Sequence, residues 1–139
     1  MKVKFYKVIN FSEETEVRSL SDFYLPEKIK LPFYPRLFRA IQPSELAVKN
    51  KLVLGNHYHP KKSKRWEFFA ISGKPKVNLF KFRYKIGKKV RERLLKNGDA
   101  ILVPQDISHA FLPLRKGVIL FELSNIPYNR SQSVADKIL

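Results

Sequence analysis

Hydrophobic residues along this chain fall in short runs broken by turn formers, and the runs are rich in β-branched and aromatic side chains. Val3–Ile9, Leu37–Ile41, Leu52–Leu54, Trp66–Ile71, Val77–Tyr84, Val90–Leu95, Ala100–Val103 and Val118–Leu123 all read as strands. Asn97-Gly98-Asp99, Ser72-Gly73-Lys74-Pro75 and Lys116-Gly117 supply turns between them. Helical character is weak and confined to Ser44–Lys49 and Ser131–Leu139, each opening on a serine suited to an N-cap. Many strands without long intervening helices predict an all-β sandwich or barrel with one or two short helices.

Within that pattern, Phe80-Lys81-Phe82-Arg83-Tyr84-Lys85 alternates rings and cations. On a strand this puts the rings on one face and the cations on the other. A platform for single-stranded nucleic acid needs both within reach of one ligand, so the alternation favours rings in the core and cations in water.

A length of 139 residues suits one domain, residues 1–139, with a hydrophobic core. Zero cysteines exclude a disulfide framework, zinc fingers, iron–sulfur clusters and thiol catalysis. No apolar run approaches the roughly 18 residues of a spanning helix, and MKVKFYKVINFSEETEV lacks the apolar core of a signal peptide, so the expected location is cytoplasmic, without membrane contact. The formal charge is +16, and it is regional: Lys61–Lys96 holds 14 basic residues against Glu67 and Glu92. Such a region attracts phosphates or nucleic acid.

The histidines carry the strongest chemical signal. Three are present: His57, His59 and His109. His57 and His59 follow an apolar run at the strand period, so an extended backbone aims both imidazoles the same way, the geometry of a chelating pair. Glu67 shares a strand face with Phe69 and Ile71, which points its carboxylate inward. His109 alternates with Phe111 in the same manner. Three imidazoles and one carboxylate form a ligand set suited to a divalent transition metal such as zinc, iron, manganese or nickel.

GNHYHPKKSKRWEFFAISG (residues 55–73) and GDAILVPQDISH (residues 98–109) resemble the two motifs of the cupins. That resemblance implies a double-stranded β-helix, or jelly roll, with His57, His59, Glu67 and His109 as metal ligands at its mouth. The spacer between His59 and Glu67 is longer than the usual one. Around these motifs the wording is similar to small cupins of surface-polysaccharide synthesis, the capsular deoxysugar reductases' C-terminal cupin and, more distantly, nucleotide-linked 3,4-ketosugar isomerases.

The resemblance implies a sugar-nucleotide isomerase or epimerase, with His57 and His59 serving either as ligands or as an acid/base pair. Phe69 and Phe111 would frame a sugar, and Arg39, Arg65, Lys81, Arg83 and Arg130 are candidate phosphate contacts. Arg39 is favoured because it sits amid apolar neighbours and reads as buried. The competing readings are a metal-dependent phosphosugar isomerase, an iron dioxygenase, and a non-enzymatic cationic binder of sugar or nucleic acid. A homodimer is expected, with Val3–Ile9 as the paired edge.

Overall fold

A computed structural model describes residues 2–8, 29–129 and 132–139. Ten strands follow in chain order: β1 (Lys4–Lys7), β2 (Leu37–Ile41), β3 (Leu54–Tyr58), β4 (Glu67–Ser72), β5 (Phe80–Ile86), β6 (Lys89–Leu95), β7 (Asp99–Val103), β8 (Ser108–Pro113), β9 (Ile119–Ser124) and β10 (Val134–Ala135). They form two five-stranded sheets, ordered β1-β7-β4-β9-β2 and β10-β3-β8-β5-β6, with antiparallel pairing throughout. This is the expected jelly roll.

The two sheets close over an inner core in which Phe69 and Ile71 of β4 meet Phe80, Phe82 and Phe111 of the second sheet. The rings of Phe69 and Phe111 stand 4.8 Å apart, as do those of Phe82 and Phe111. A second apolar layer covers the outer face of the first sheet, where Phe68, Ala70, Leu102, Phe121 and Leu123 pack under Leu31, Phe33, Phe38 and Trp66. β4 therefore has apolar neighbours on both faces, and all six of its residues are buried.

The alternating segment behaves as a core strand. Phe80 and Phe82 are fully buried, while Lys81, Arg83 and Lys85 lie half-buried on the opposite face. In α1 (Glu45–Lys49), the Ser44 Oγ accepts from the Ala47 N–H at 3.1 Å, as the cap predicts.

The helical reading of Ser131–Leu139 is overturned. Val134 and Ala135 instead pair with Tyr58 and His57 as β10, and Ser131 itself lies outside the described residues. A nine-residue stretch with few apolar positions makes a marginal helix, whereas the free edge of β3 offers unpaired backbone groups. Of the N-terminal run, Ile9 also lies outside the described residues, and Lys4–Lys7 pairs with β7 at the edge of the first sheet. Among the described residues no helix is long and apolar enough to cross a membrane.

Candidate metal centre

His57 projects from β3, His59 follows just beyond it, Glu67 opens β4 and His109 lies on β8. The long spacer between His59 and Glu67 is taken up by a compact turn. Lys61–Ser63 forms one turn of 3₁₀ helix closed by Lys64 in the left-handed region at φ 56°. Asp106 clamps this turn from the second motif: its Oδ1 accepts from the Lys61 N–H at 2.9 Å, and its own N–H donates to the His59 carbonyl at 2.8 Å. Asn125 holds the other end, accepting from the Trp66 N–H and donating to the Lys64 carbonyl, both at 2.8 Å. The extra residues are thereby folded away, and Glu67 arrives beside His59.

The four side chains predicted from the sequence do converge. One ligand atom from each of His57, His59, Glu67 and His109 lies within 4.8 Å of the others. His59 Nε2 is 2.9 Å and His109 Nε2 3.2 Å from Glu67 Oε1. These separations are short, yet both ring nitrogens of His59, Arg65 Nε and Glu67 Oε1 are buried without a directed hydrogen-bond partner. With bonds of about 2.1 Å to a metal, ligand atoms on adjacent vertices stand about 3.0 Å apart in an octahedron and about 3.4 Å in a tetrahedron. The two separations at Glu67 match such edges, while the four ligand atoms as a set spread to 4.8 Å.

The imidazole of His109 is oriented from behind. Its Nδ1–H donates to the Ile107 carbonyl at 2.9 Å, which turns Nε2 toward Glu67. Burial would lower the His109 pKa, but the adjacent Glu67 carboxylate outweighs it and the group is raised. For Glu67, burial acts to raise the pKa, while His109 and His59 hold the carboxyl well below its ordinary range. His57 has no such partner. Burial and the neighbouring His109 and His59 push it down to about 4, so its imidazole is neutral at pH 7.

Behind Glu67 lies a charge network that the sequence pattern did not foretell. Arg65, in the basic run, is buried: its guanidinium donates to Glu122 Oε1 at 2.5 Å and to the Ile126 carbonyl at 2.5 Å, and stands 3.5 Å from Glu67 Oε2. Glu122 is equally buried, and burial together with Glu67 raises its pKa to about 7 despite Arg39 and Arg65. Its signal was available, since an acid within the apolar run Val118–Leu123 repeats the feature that marks Glu67.

Arg39 departs from expectation. Its side chain is 59% exposed and donates to Glu122 Oε2 at 2.7 Å from the edge strand β2. A position among apolar neighbours does not bury an arginine on a strand that, among the described residues, is paired on one side alone. Arg39 nevertheless lines, with His57, Glu67, His109, Phe69 and Phe111, a small open recess of about 50 Å³. Phe69 and Phe111 form its floor as members of the core.

Tyr128, missed as a site residue, forms part of the same wall, its ring 6.2 Å from His57 and 6.0 Å from His59, with the Arg65 guanidinium 5.6 Å away. Of the other candidate cations, Arg83 is engaged by Glu92 and the Ile138 carbonyl, and Arg130 lies outside the described residues.

No protein-family model matches this sequence, and no curated protein matches it. Solved structures do. The TDP-fucose-3,4-ketoisomerase WlaRA from Campylobacter jejuni is similar at 15% identity and a TM-score of 0.68, covering 98% of this chain and 90% of that one. A mutant of the 3,4-ketoisomerase QdtA from Thermoanaerobacterium thermosaccharolyticum, in complex with TDP-4-keto-6-deoxyglucose, is similar at 14% identity and a TM-score of 0.67, covering 96% and 87%. The capsular polysaccharide assembling protein CapF from Staphylococcus aureus matches over 79% of this chain and 29% of its own, at 14% identity and a TM-score of 0.55. At such identities the likeness is one of architecture, a two-sheet antiparallel jelly roll.

Proposed function

We propose that this protein is a metal-binding cupin that isomerises or epimerises a nucleotide-linked keto-deoxysugar. The observation that carries the reading is the convergence of His57, His59, Glu67 and His109 on one point at the wall of a recess bordered by Arg39. The ketoisomerase names of the similar structures support the substrate class.

His59, Glu67 and His109 hold a divalent transition metal, zinc, iron, manganese or nickel, which when bound supplies Lewis-acid polarisation of a sugar oxygen. A 3,4-keto isomerisation moves one proton from the carbon bearing a hydroxyl to the neighbouring carbonyl carbon, and another between the two oxygens. His57 is the group suited to the carbon proton, because its imidazole lines the recess half-buried, beside the other three side chains. Phe69 and Phe111 exclude water from the floor, and the exposed guanidinium of Arg39 meets the diphosphate. Two copies pair through the edge of the first sheet at β1.

Two measurements test this. Metal analysis of purified protein should find near-stoichiometric metal that drops sharply in the His57→Ala, His59→Ala double variant. Incubation with TDP-4-keto-6-deoxyglucose should yield an isomer visible by NMR. Metal retained in the double variant, or steeply salt-dependent RNA binding without turnover, would replace this reading with that of a cationic binder.

A further inference from the structure

The bulge in β3 decides which face of the second sheet the histidines occupy. Leu54 pairs with Phe111 and Gly55 with Ala110, yet His57 pairs with His109, so Asn56 is an extra residue with no opposite number on β8. Leu54 packs on the inner core. Strict alternation from Leu54 would send residue 56 inward and residues 57 and 59 out to water. The extra residue reverses this and returns both imidazoles to the interior.

The local backbone is built for that reversal. Gly55 has φ 95°, and a Cβ there would lie 2.7 Å from the His109 carbonyl oxygen. Asn56 has φ 57°, in the left-handed region that asparagine tolerates better than most residues.

Something must hold the bulge, and segment 134–139 does. Asn56 Oδ1 accepts from the N–H groups of Ile138 at 3.0 Å and Leu139 at 3.1 Å, and its Nδ2 donates to the Leu139 carbonyl at 3.2 Å. The Asn56 carbonyl accepts from the Asp136 N–H at 2.8 Å. The segment is anchored in turn to β8 and β5, through the Ser108 hydroxyl on Asp136 at 2.6 Å and Arg83 on the Ile138 carbonyl at 3.2 Å.

We propose that Asn56, locked by segment 134–139, is a positioning residue that turns His57 and His59 into the barrel. The inference rests on the reading of these histidines as the site, and its test is arranged to separate the two. The full chain is compared with Asn56→Gly, which keeps the positive φ and loses the amide clasp, with deletion of Asn56, which removes the bulge, and with Val118→Ala, a core change that only destabilises.

Zinc affinity is measured by competition titration, and each histidine's reactivity toward diethyl pyrocarbonate is measured in metal-free protein by peptide mass spectrometry. The parent protects His59 and His109, which are 3% and 2% exposed. Deletion of Asn56 makes His59 react as an exposed imidazole. Asn56→Gly weakens zinc binding about tenfold or more and speeds labelling of His59, while Val118→Ala does neither. Protection of His59 together with parental zinc affinity in both Asn56 variants overturns the proposal. Should the deletion not fold, Asn56→Gly decides it. Should the parent bind no zinc, the metal reading fails and the labelling of His59 still tests the role of Asn56.

Discussion

Arg65→Met takes a buried cation from between two buried carboxylates while keeping most of the packing of its stem. The guanidinium stands 2.5 Å from Glu122 Oε1, 3.5 Å from Glu67 Oε2 and 2.5 Å from the Ile126 carbonyl, with 5% of the side chain exposed. Removing one partner of a buried charge pair costs about 3–5 kcal/mol, and because Glu122 keeps Arg39 at 2.7 Å and Glu67 keeps His59 and His109, the loss here falls at the lower end of that range.

The cost depends on pH in a direction the site dictates. Glu122 is raised to about 7, above its ordinary 4.5, so between those values the folded protein holds a proton there that the unfolded chain releases. Stability therefore falls as pH rises from about 4.5 to about 7, and without Arg65 the carboxyl is raised further and the fall continues above that. A tenfold difference in proton affinity between the folded and unfolded chains is worth about 1.4 kcal/mol, so the destabilisation by Arg65→Met should be about 1 kcal/mol smaller at pH 6 than at pH 8. Urea unfolding of metal-free protein, followed by the fluorescence of Trp66, measures both values. A loss under about 1 kcal/mol at pH 8, or one that does not change with pH, refutes the reasoning.

Glu67→Gln should abolish stoichiometric metal in elemental analysis and leave circular dichroism unchanged, since it removes the charge that faces His59 and His109 but not the side chain's volume. Metal affinity should rise with pH above 6.5, because the metal must displace the proton that Glu67 holds on His109; a zinc titration giving a flat profile from pH 6 to 8.5 would count against His109 as a ligand. Arg39→Ala should reduce the thermal stabilisation given by a TDP-sugar without lowering metal content, and equal stabilisation by TDP alone in the parent would show that the sugar does not reach the recess.

The jelly roll and the convergence of His57, His59, Glu67 and His109 were legible because both rest on local signals: period-two alternation, turn residues, and polar groups standing on apolar faces. Glu67, Phe69 and Ile71 share a face as alternation requires, and the Ser44 cap is where the pattern places it. What escaped depends on partners distant in sequence. Nothing near His57 says that Asn56 is a bulge, because its clasp comes from residues about eighty positions later. Residues 134 and 135 became a strand because β3 had a free edge. Arg65 reads in the sequence as one of several candidate phosphate contacts, since Glu122 and Ile126, which engage it, lie on and after β9. Arg39 was misjudged for the opposite reason, as an edge strand leaves its outer side chains in water whatever stands beside them in sequence.

The apolar cover on both faces of β4 has a consequence for motion around the site. Glu67 is carried on a strand hydrogen-bonded on both sides, to β7 and β9, and sealed above and below. Its amides belong to the part of the molecule that opens only with global unfolding, and they should exchange most slowly with solvent deuterium. His57 sits on β3, which borders the two-residue β10 on one side. Its amides should exchange through small local openings. The cluster thus joins a carboxylate on the most protected strand to an imidazole on a strand whose outer partner is only two residues long, so the two sides of the site should differ in exchange rate.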